Sequence, residues 1–330
     1  MTSGNSKTCA IVGAGLTGLT AGRQLVECGH RVTLFEKGYH PGGRAASKRV
    51  GDALCDTGAQ FFTVRRKLFA DIAGKWLDEG AVCEWARGFS QDGSRPEQDG
   101  HPRYRGTEGM RGLAAHLAGG LDLQLRTKVR KVQADRRNAR VMLEGETAFP
   151  ADVILLTPPV PQSLELLQRG AAPVAAHQAG PLKGLVYEKC IAIAARLDGL
   201  SHIPKPGGVQ FSDGDISWLA DNRIKGISRL PGITLHASVD YSERHWLAGD
   251  SVVAGHLLGE VRDLVGSPIE EWILHRWRYS KPVGTFSQRC LKLAGLPVIL
   301  AGDAFAGPRV EGAVLSGLAA ASEAARLLAE

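Results

Sequence analysis

The sequence predicts an α/β fold with a parallel sheet in one domain and a separate mixed sheet in another. Three features predict it. A β-branched run near the start ends at a glycine turn and leads into a helix and a second strand. The apolar run Val153–Leu156 has the profile of a buried central strand. Short strand candidates with few helices then follow, and 330 residues at roughly 100–200 per domain give about two domains.

The first β-α-β unit occupies the N-terminal residues. Thr8–Val12 predicts a strand, and apolar residues recur at helical spacing from Leu16 until Gly29 stops the helix. Arg31–Glu36 alternates apolar and polar residues and predicts the second strand.

Residues 68–144 alternate between helical, turn and strand patterns. Leu68–Trp85 has helical spacing, whereas Gln91–Pro102 carries two Asp-Gly turn signals and predicts a hairpin or exposed loop. Gly109–Leu121 predicts a helix, and Leu123–Gln133 and Val141–Glu144 predict strands.

The second half predicts a sheet and the return to the first domain. Glu243–Val265 is mostly helical in pattern, Pro297–Ala301 is a buried strand, and Gly312–Leu328 is an alanine- and leucine-rich helix. The short strand candidates are Cys190–Ala195, Gly208–Phe211, Ile216–Leu219, Thr234–Ser238 and Glu271–Trp277.

Composition excludes several classes of protein. With 44% hydrophobic and 22% charged residues, the chain is neither disordered nor fibrous. No run approaches the roughly 20 apolar residues that span a bilayer, and the polar start Met1–Lys7 does not resemble a signal peptide, so a cytoplasmic location without membrane contact is expected. The net charge of +6 would suit a phosphate-rich ligand, an anionic surface or a nucleic acid.

Metal and nucleic-acid sites are not predicted. Arg65-Arg66 and Arg136-Arg137 lack interleaved aromatic residues, which favours solvated faces over nucleic-acid contact. The cysteines have no Cys-x-x-Cys pair and no zinc-finger spacing, which indicates reduced structural thiols. They are Cys9, Cys28, Cys55, Cys83, Cys190 and Cys290.

A G-x-G-x-x-G motif lies between the first strand and the first helix. Its glycines allow the turn, admit a pyrophosphate and let helix meet strand, and the helix N-terminus supplies amides to the anion. Glu36 ends the next strand, where a carboxylate can bind both hydroxyls of an adenosine ribose. The alternative is a glycine-rich turn of another α/β domain. The motif is Gly13, Ala14, Gly15, Leu16, Thr17 and Gly18.

A second glycine turn, Gly42-Gly43-Arg44, follows Glu36 and would place a guanidinium near the pyrophosphate, although it could also be a basic solvated loop. With these features the sequence resembles the flavin amine oxidoreductase superfamily, which implies FAD. The strand that leads into Gly302-Asp303, and the last helix, opening at Val310, resemble the superfamily's second FAD segment. Asp303 could instead be only a helix cap.

Motifs along the whole chain resemble the renalase family of bacteria. They include Asp56–Thr63, Trp218–Arg223, His275–Tyr279 and Gly307–Ala313. The resemblance implies a Rossmann-like FAD domain with an inserted mixed-sheet substrate domain, of amine oxidase or p-hydroxybenzoate hydroxylase type. It also implies oxidation of 2- and 6-dihydroNAD(P) with oxygen as acceptor, which yields hydrogen peroxide and NAD(P)⁺. No cysteine follows Cys290, so non-covalent FAD is expected.

The resemblance implies domain boundaries and contacts. Residues 1–75, 122–165 and 285–330 would form the FAD domain, and 76–121 and 166–284 the substrate domain. Cofactor contacts would be Gly13, Ala14, Gly15, Leu16, Thr17, Gly18, Glu36, Lys37, Gly43, Arg44, Ala59, Gln60, Val129, Gly302, Asp303 and Val310.

Substrate contacts are expected from aromatic, hydroxyl and guanidinium groups, each of which could otherwise be a core aromatic or a surface group. They are Phe61, Phe62, Thr63, Arg65, Arg103, Tyr104 and Arg309. A dihydronicotinamide already carries a transferable hydride, so its oxidation needs alignment more than a general base. No acid–base residue is required, so none is assigned; His245 and His275 are the candidates, although a lone histidine is more often a core or rim residue.

Two alternatives stay open. A flavin amine oxidase would need a lysine-held water, for which Lys281 is the candidate in the stretch after His275. A flavin-binding protein without turnover is the other. No second convincing G-x-G-x-x-G occurs, which argues against a reductase with its own NAD(P)H domain.

Overall fold

The computed structural model describes residues 7–96, 98–305 and 307–330. The strands within these residues are β1 (Thr8–Val12), β2 (Arg31–Phe35), β3 (Ser47–Val50), β4 (Ala53–Asp56), β5 (Val82–Ala86), β6 (Ser90–Gln91), β7 (Arg103–Gly106), β8 (Asp122–Gln124), β9 (Val129–Ala134), β10 (Ala139–Leu143), β11 (Ala148–Ala151), β12 (Val153–Leu156), β13 (Val186–Leu197), β14 (Gly208–Gln210), β15 (Ile216–Asp221), β16 (Gly232–Ala237), β17 (Ile269–Val283), β18 (Cys290–Lys292) and β19 (Val298–Ala301). The helices are α1 (Leu16–Glu27), α2 (Lys67–Asp78), α3 (Met110–Ala118), α4 (Val160–Arg169), α5 (Ala176–Lys183), α6 (Val239–Arg244), α7 (Asp250–Glu260), α8 (Arg262–Val265) and α9 (Val310–Ala329).

The chain divides into two compact units. Unit 1 comprises the described parts of Met1–Gly43, Ala114–Val186 and Pro282–Glu330, and unit 2 comprises those of Arg44–Leu113 and Tyr187–Lys281. These boundaries differ from the ones expected from sequence, which put residues 44–75 in the first domain. Unit 2 retains that segment because the β3–β4 hairpin packs its apolar face on the large sheet of the unit, where Val50, Ala53 and Cys55 join Ala194 in one buried cluster. Residues 166–186 were expected in the substrate domain but belong to unit 1, because α4 packs on β9.

Unit 1 is built on a six-stranded sheet in the order β18-β19-β12-β1-β2-β8. The pairs from β19 to β8 run parallel, and β18 is the antiparallel edge. All four residues of β12 and of β19 are buried, as a parallel sheet covered on both faces requires. The structure thus confirms the predicted β-α-β unit and the central strand Val153–Leu156. Because Val12, Leu156 and Leu300 are in register, their strands end at the same edge of the sheet.

A smaller antiparallel sheet, β11-β10-β9, completes unit 1. The predicted single strand Leu123–Gln133 is wrong, because the chain breaks between β8 and β9. Arg126 has φ +55° there, and Arg126 N and Thr127 N donate to the carbonyls of Gly38 and Glu36. The interruption positions the start of β9 beside the end of β2.

Unit 2 contains the mixed six-stranded sheet β17-β13-β16-β15-β14-β6, together with the hairpins β3-β4 and β5-β7. Strands β14 and β6 are parallel, whereas β13, β16, β15 and β14 pair antiparallel. One face of the sheet packs on α6 and α7 through a core that includes Ile193, Leu235 and Leu257. The predicted fold class, a Rossmann-like domain with a mixed-sheet domain, is confirmed.

The remaining differences concern helix ends. The predicted helix Leu68–Trp85 ends at Asp78, because Gly80 takes a φ of +69°, and Trp85 lies on β5 instead. The 243–265 segment is mostly helical, as predicted, and forms parts of three helices, α6, α7 and α8. The hairpin β3–β4 and the helices α4 and α5 were missed.

Candidate functional site

The N-terminus of α1 lies directly after β1 and presents backbone amides. Gly13 turns the chain with a φ of +98°, a conformation that glycine adopts without strain. Gly15 is the N-cap, with φ −75° and ψ 175°, and as a glycine it has no side chain to cap the helix. First-turn N–H groups and the helix dipole suit this end to an anion such as a diphosphate.

The glycine motif has one crowded and one open position. A Cβ on Gly18 would lie 2.1 Å from the carbonyl oxygen of Gly13, so only glycine lets helix and turn approach this closely. A Cβ on Gly15 would meet no described atom within 4 Å. Thr157 holds the turn, because its Oγ1 donates to the carbonyls of Val12 and Gly13 at 2.8 and 3.1 Å. Space for a ligand therefore exists where the second glycine lies.

Glu36 is fixed at the end of β2 by backbone amides. Its Oε2 accepts from Ala14 N at 3.0 Å and its Oε1 from Gly38 N at 2.8 Å. The carboxylate is half-buried, and the neighbouring Lys37 is exposed. Each carboxylate oxygen retains acceptor capacity beyond these bonds, so Glu36 fits the hydroxyls of a ribose held beside the glycine motif.

The second glycine turn returns to the first. Gly42 N donates to Ala14 O at 2.8 Å, and Gly15 and Gly42 form a parallel bridge. A Cβ on Gly43 would lie 3.5 Å from Gly15 Cα. Gly18, which ends the first motif, and Gly42 are 24 positions apart in the sequence, yet the two motifs lie side by side in unit 1.

The chain that leaves β19 leads to a second helix N-terminus, that of α9. Gly302 N donates to Ser316 Oγ at 2.8 Å, and Arg309 is the N-cap of α9, with a side chain that makes no capping hydrogen bond. A Cβ on Gly312 would lie 1.9 Å from Gly307 O, so the loop folds tightly onto the helix start. Gly302 and Asp303 lie at the same sheet edge as Thr157, while Val129 is 8% exposed at the start of β9.

These features of unit 1 fit a dinucleotide: an acid for a ribose, open backbone at Gly15, and two helix N-termini for negative charge. When bound, a flavin dinucleotide would supply a two-electron acceptor.

The predicted cofactor residues Arg44, Ala59 and Gln60 belong to unit 2. Arg44 Nη1 donates to Ser280 O at 3.2 Å, and the guanidinium lies 6.0 Å from the Tyr187 ring centroid. Arg44 O accepts from Ala59 N at 2.8 Å, which holds these two residues side by side. A contact from Arg44 to a pyrophosphate stays a prediction.

Gln60 turns its side chain into unit 2. Its Nε2 donates to Asp56 O at 2.5 Å and to Gly58 O at 3.1 Å, and Gln60 is 7% exposed. The side-chain amide of Gln60 therefore stabilises the turn of the segment Asp56–Gln60. A ligand would contact the Gln60 backbone instead of its side chain. Thr57 O accepts from Trp277 Nε1 at 2.9 Å, which holds the same segment from β17.

His236 also faces this segment and was missed from sequence. Its Nε2 lies 3.3 Å from Thr57 O, so the neutral ring donates there. Burial lowers the pKa of His236 to about 4, although the bond to the Thr57 carbonyl opposes the shift. At neutral pH the ring is uncharged. The strand pattern Gly232–Ala237 gave no signal that this histidine reaches Thr57.

The titration of His236 predicts a loss of stability in acid. Between pH 6.5 and about 4 the unfolded chain binds a proton at this residue and the folded chain does not, so the free energy of unfolding falls as the pH falls. We expect a loss of about 2–3 kcal/mol from this residue over that window. Urea denaturation at pH 7 and pH 4 should show a smaller pH dependence for His236→Gln, which keeps an Nε2 donor. Equal pH dependences would contradict the assignment.

Two aromatic clusters lie in unit 2. The first, Phe61, Trp85, Phe89 and Trp218, has ring centroids 4.8–6.2 Å apart, and Phe61 and Trp85 are half-buried. The second surrounds Phe62, which is 3% exposed, stacks 5.5 Å from Tyr104 and packs on α2. Phe62 is thus a core residue whose ring fills the space between α2 and β7, and a substrate contact from it stays a prediction.

Arg103 is likewise committed to other contacts. Its Nη2 donates to Asp99 Oδ2 at 2.6 Å and its guanidinium lies 5.6 Å from the Phe89 ring centroid. This pairing holds the pKa of the Asp99 carboxyl well below its usual range. Thr63 is half-buried and Arg65 exposed. The structure therefore gives Arg103 contacts with Asp99 and Phe89, and its substrate contact stays a prediction.

The two catalytic candidates, His245 and His275, lie on different elements of unit 2. His245 stacks on Tyr241 at 4.2 Å, at the end of α6. His275 Nδ1 lies 3.3 Å from Lys48 Nζ, and its ring centroid is 4.1 Å from that of Trp277. Burial, with a smaller contribution from the Lys48 charge, lowers the pKa of His275 to about 4. His275 is a neutral acceptor for Lys48 at physiological pH.

Two further features bear on the ligand class. Across residues 7–96, 98–305 and 307–330, no three His, Cys, Asp or Glu side chains are arranged to hold a metal ion. In the same residues α9 alone is long and apolar enough to cross a membrane; half of it is buried in the structure, and it packs against α1.

Two family models match this chain. Residues 11–73 match the model of the NAD(P)-binding Rossmann-like domain, and residues 82–325 match that of the flavin containing amine oxidoreductases. Renalase of Mus musculus is 22% identical over 332 aligned residues, which cover 93% of this chain and 96% of that protein.

Two other similarities are more limited. A 57-residue stretch, 17% of this chain, is 46% identical to the 4-hydroxybenzoate brominase (decarboxylating) of Pseudoalteromonas luteoviolacea and spans 11% of that protein. Cyclohexylamine oxidase from Brevibacterium oxydans has a TM-score of 0.77 at 12% identity, with 98% of this chain and 100% of that chain covered. The latter shows a shared fold.

Proposed function

This chain belongs to the flavin containing amine oxidoreductase family, and on that premise we propose that it is an FAD-dependent oxidase of isomeric dihydronicotinamides. Family membership makes it an oxidoreductase with a flavin cofactor. The proposal adds that FAD is bound non-covalently, that 2- and 6-dihydroNAD(P) are the donors, and that oxygen is the acceptor. The products are hydrogen peroxide and NAD(P)⁺, and the location is cytoplasmic.

One observation carries the choice of donor. The likeness to renalase extends over 93% of this chain and 96% of that protein, so it is not confined to one unit and includes strands of unit 2. The resemblance to that family rests on four motifs, of which three lie in unit 2: Asp56–Thr63, Trp218–Arg223 and His275–Tyr279. A match confined to the nucleotide motifs would favour no particular donor.

The residues of unit 1 have binding roles in this proposal. Glu36 would accept hydrogen bonds from the adenosine ribose, and the amides of α1 would hold the diphosphate. The N-terminus of α9 would stabilise negative charge that develops on a neighbouring ring. Each role uses backbone or carboxylate groups that the fold already fixes.

The reaction places few chemical demands on unit 2. A dihydropyridine ring carries its hydride and loses it without prior deprotonation, so side chains need only orient it and exclude water. His275 is uncharged at neutral pH, and Lys281, which the amine alternative would use to hold a water, pairs with Glu188 at 3.3 Å. These contacts favour an alignment role over acid–base catalysis.

Amine oxidation is the second candidate. The family to which the chain belongs and the fold likeness to cyclohexylamine oxidase both favour it. The half-buried rings Phe61 and Trp85 could contact an amine or a pyridine ring equally well. Substrate oxidation must therefore decide between the two.

Steady-state oxidation separates the candidates. We expect oxygen consumption with 2- or 6-dihydroNAD(P), with about one hydrogen peroxide formed per donor oxidised, as two-electron reduction of oxygen requires. Ordinary 4-dihydroNAD(P)H, cyclohexylamine and putrescine should give little or none. Turnover of an amine without turnover of the isomers would establish the second candidate, and flavin binding without any turnover would indicate a non-catalytic protein.

A further inference from the structure

Lys225 is a buried cation for which the proposed reaction has no use. It is 2% exposed, and its side chain is fully enclosed in unit 2. The loop after β15 aims it inward, because the Asp221 carboxylate accepts from Arg223 N and Ile224 N at 2.7 and 2.8 Å. Burying an ammonium group costs free energy, and replacing a buried ion pair by apolar residues of similar volume often leaves a protein equally stable. Stability alone therefore does not account for a cation in this place.

The first partner of Lys225 is Asp56. The Lys225 Nζ to Asp56 Oδ2 distance is 2.7 Å, and both side chains are inaccessible to solvent. The other oxygen, Asp56 Oδ1, accepts from Met110 N at 2.9 Å and from Ser47 Oγ at 2.5 Å. Asp56 is therefore held at both oxygens, by the hairpin β3–β4 and the start of α3 on one side and by Lys225 on the other.

Two more contacts extend from the same ammonium group. Lys225 Nζ lies 3.4 Å from Gln60 Oε1, and Gln60 Nε2 donates to the carbonyls of Asp56 and Gly58. Lys225 Nζ also lies 4.6 Å from the ring centroid of Trp85, a member of the first aromatic cluster. One cation thus touches both ends of the segment Asp56–Gln60 and the cluster that contains Phe61.

We propose that Lys225 is a positioning residue that fixes the Asp56–Gln60 segment and Trp85 in the geometry that flavin binding and donor alignment require. The inference rests on the proposed function, because Ala59 and the Gln60 backbone are cofactor contacts within it. Lys225 acts through Gln60 and Trp85 and does not itself touch the donor.

A paired substitution separates this role from simple charge compensation. In Lys225→Met the Asp56 carboxylate is left buried without its cation, and loss of folded protein is expected. The double variant Asp56→Asn/Lys225→Met removes both charges and keeps an oxygen for Met110 N. We expect it to unfold at a temperature close to that of the wild-type apoprotein. Its FAD dissociation constant should nevertheless rise at least tenfold, and the visible circular dichroism of its bound flavin should change.

The rate of flavin reduction at saturating 6-dihydroNAD should also fall at least tenfold in the double variant. Lys189→Met is the control, because Lys189 forms a partly exposed pair with Glu243 in the same unit; wild-type values are expected. If the double variant recovers unfolding temperature, FAD affinity and reduction rate together, Lys225 only neutralises Asp56 and the proposal is overturned.

Gln60→Met decides the matter if the double variant does not fold. It leaves the ion pair intact and removes the amide that links Lys225 to the segment, so FAD affinity is expected to fall at least fivefold. Wild-type affinity in that variant would overturn the proposal. Failure of the proposed function would look different: the wild-type protein would bind FAD but would not be reduced by any dihydronicotinamide isomer. FAD affinity and circular dichroism would then still test Lys225.

Discussion

In Gly15→Ala we expect FAD affinity to fall about 100-fold while the apoprotein unfolds as the wild type does. The added methyl group meets no described atom of the protein within 4 Å, and the φ of −75° at Gly15 suits alanine. It would occupy the place where the diphosphate approaches the backbone, so the penalty falls on the ligand alone. A 100-fold loss corresponds to about 2.7 kcal/mol. Fluorescence titration of the apoprotein with FAD measures it.

Gly255→Ala is the matched control for this variant. Gly255 lies within α7, and a Cβ there also meets no described atom within 4 Å. The same chemical change should leave FAD affinity unaltered, because α7 belongs to a part of unit 2 with no predicted cofactor contact. Unchanged FAD affinity in Gly15→Ala would show that the glycine motif is not the diphosphate site.

In Arg309→Ala we expect the rate of flavin reduction to fall about 100-fold, which is the size of effect that loss of substrate alignment produces. Arg309 is exposed at the N-cap of α9, next to the stiff Gly307-Pro308 turn. Two effects would act together: loss of orientation of the pyridine ring and loss of positive charge beside the flavin, which lowers its potential.

Arg309→Lys separates these effects, because it keeps the charge and loses the planar guanidinium fork. If orientation dominates, the potential recovers and the reduction rate does not. Arg326→Ala serves as the control, since Arg326 lies near the other end of α9 and pairs with Glu323 and Glu330. If Arg309→Ala keeps wild-type FAD content, potential and reduction rate, Arg309 is a surface residue.

The nucleotide-binding part of the fold was predictable because its signals are local. The G-x-G-x-x-G motif specifies a turn and a helix start within six residues, and Glu36 ends the strand that follows. The apolar run Val153–Leu156 predicted its own burial, and parallel strands place their carboxyl ends at one edge. Each of these patterns lies within one short segment of the chain, and so does the structural feature that it predicts.

Features that depend on distant contacts escaped prediction. Lys225 and Asp56 are 169 positions apart, and neither residue type signals a buried pair. The sequence predicts that Phe62 contacts the substrate, because it lies in a ligand motif. In the structure α2 and β7 enclose its ring. The 44–75 segment follows the nucleotide motif directly, yet its hairpin carries apolar residues that match the sheet of unit 2.

Anaerobic mixing of the purified, FAD-loaded protein with 6-dihydroNAD, followed by flavin absorbance, tests the central claim most directly. With one equivalent of 6-dihydroNAD per flavin, the account predicts rapid loss of the yellow absorbance and release of NAD⁺. The colour should return when oxygen is admitted. Ordinary 4-dihydroNADH and cyclohexylamine, mixed in the same way, should leave the flavin oxidised over that time. Flavin that stays oxidised with 6-dihydroNAD but is bleached by the amine would contradict the account.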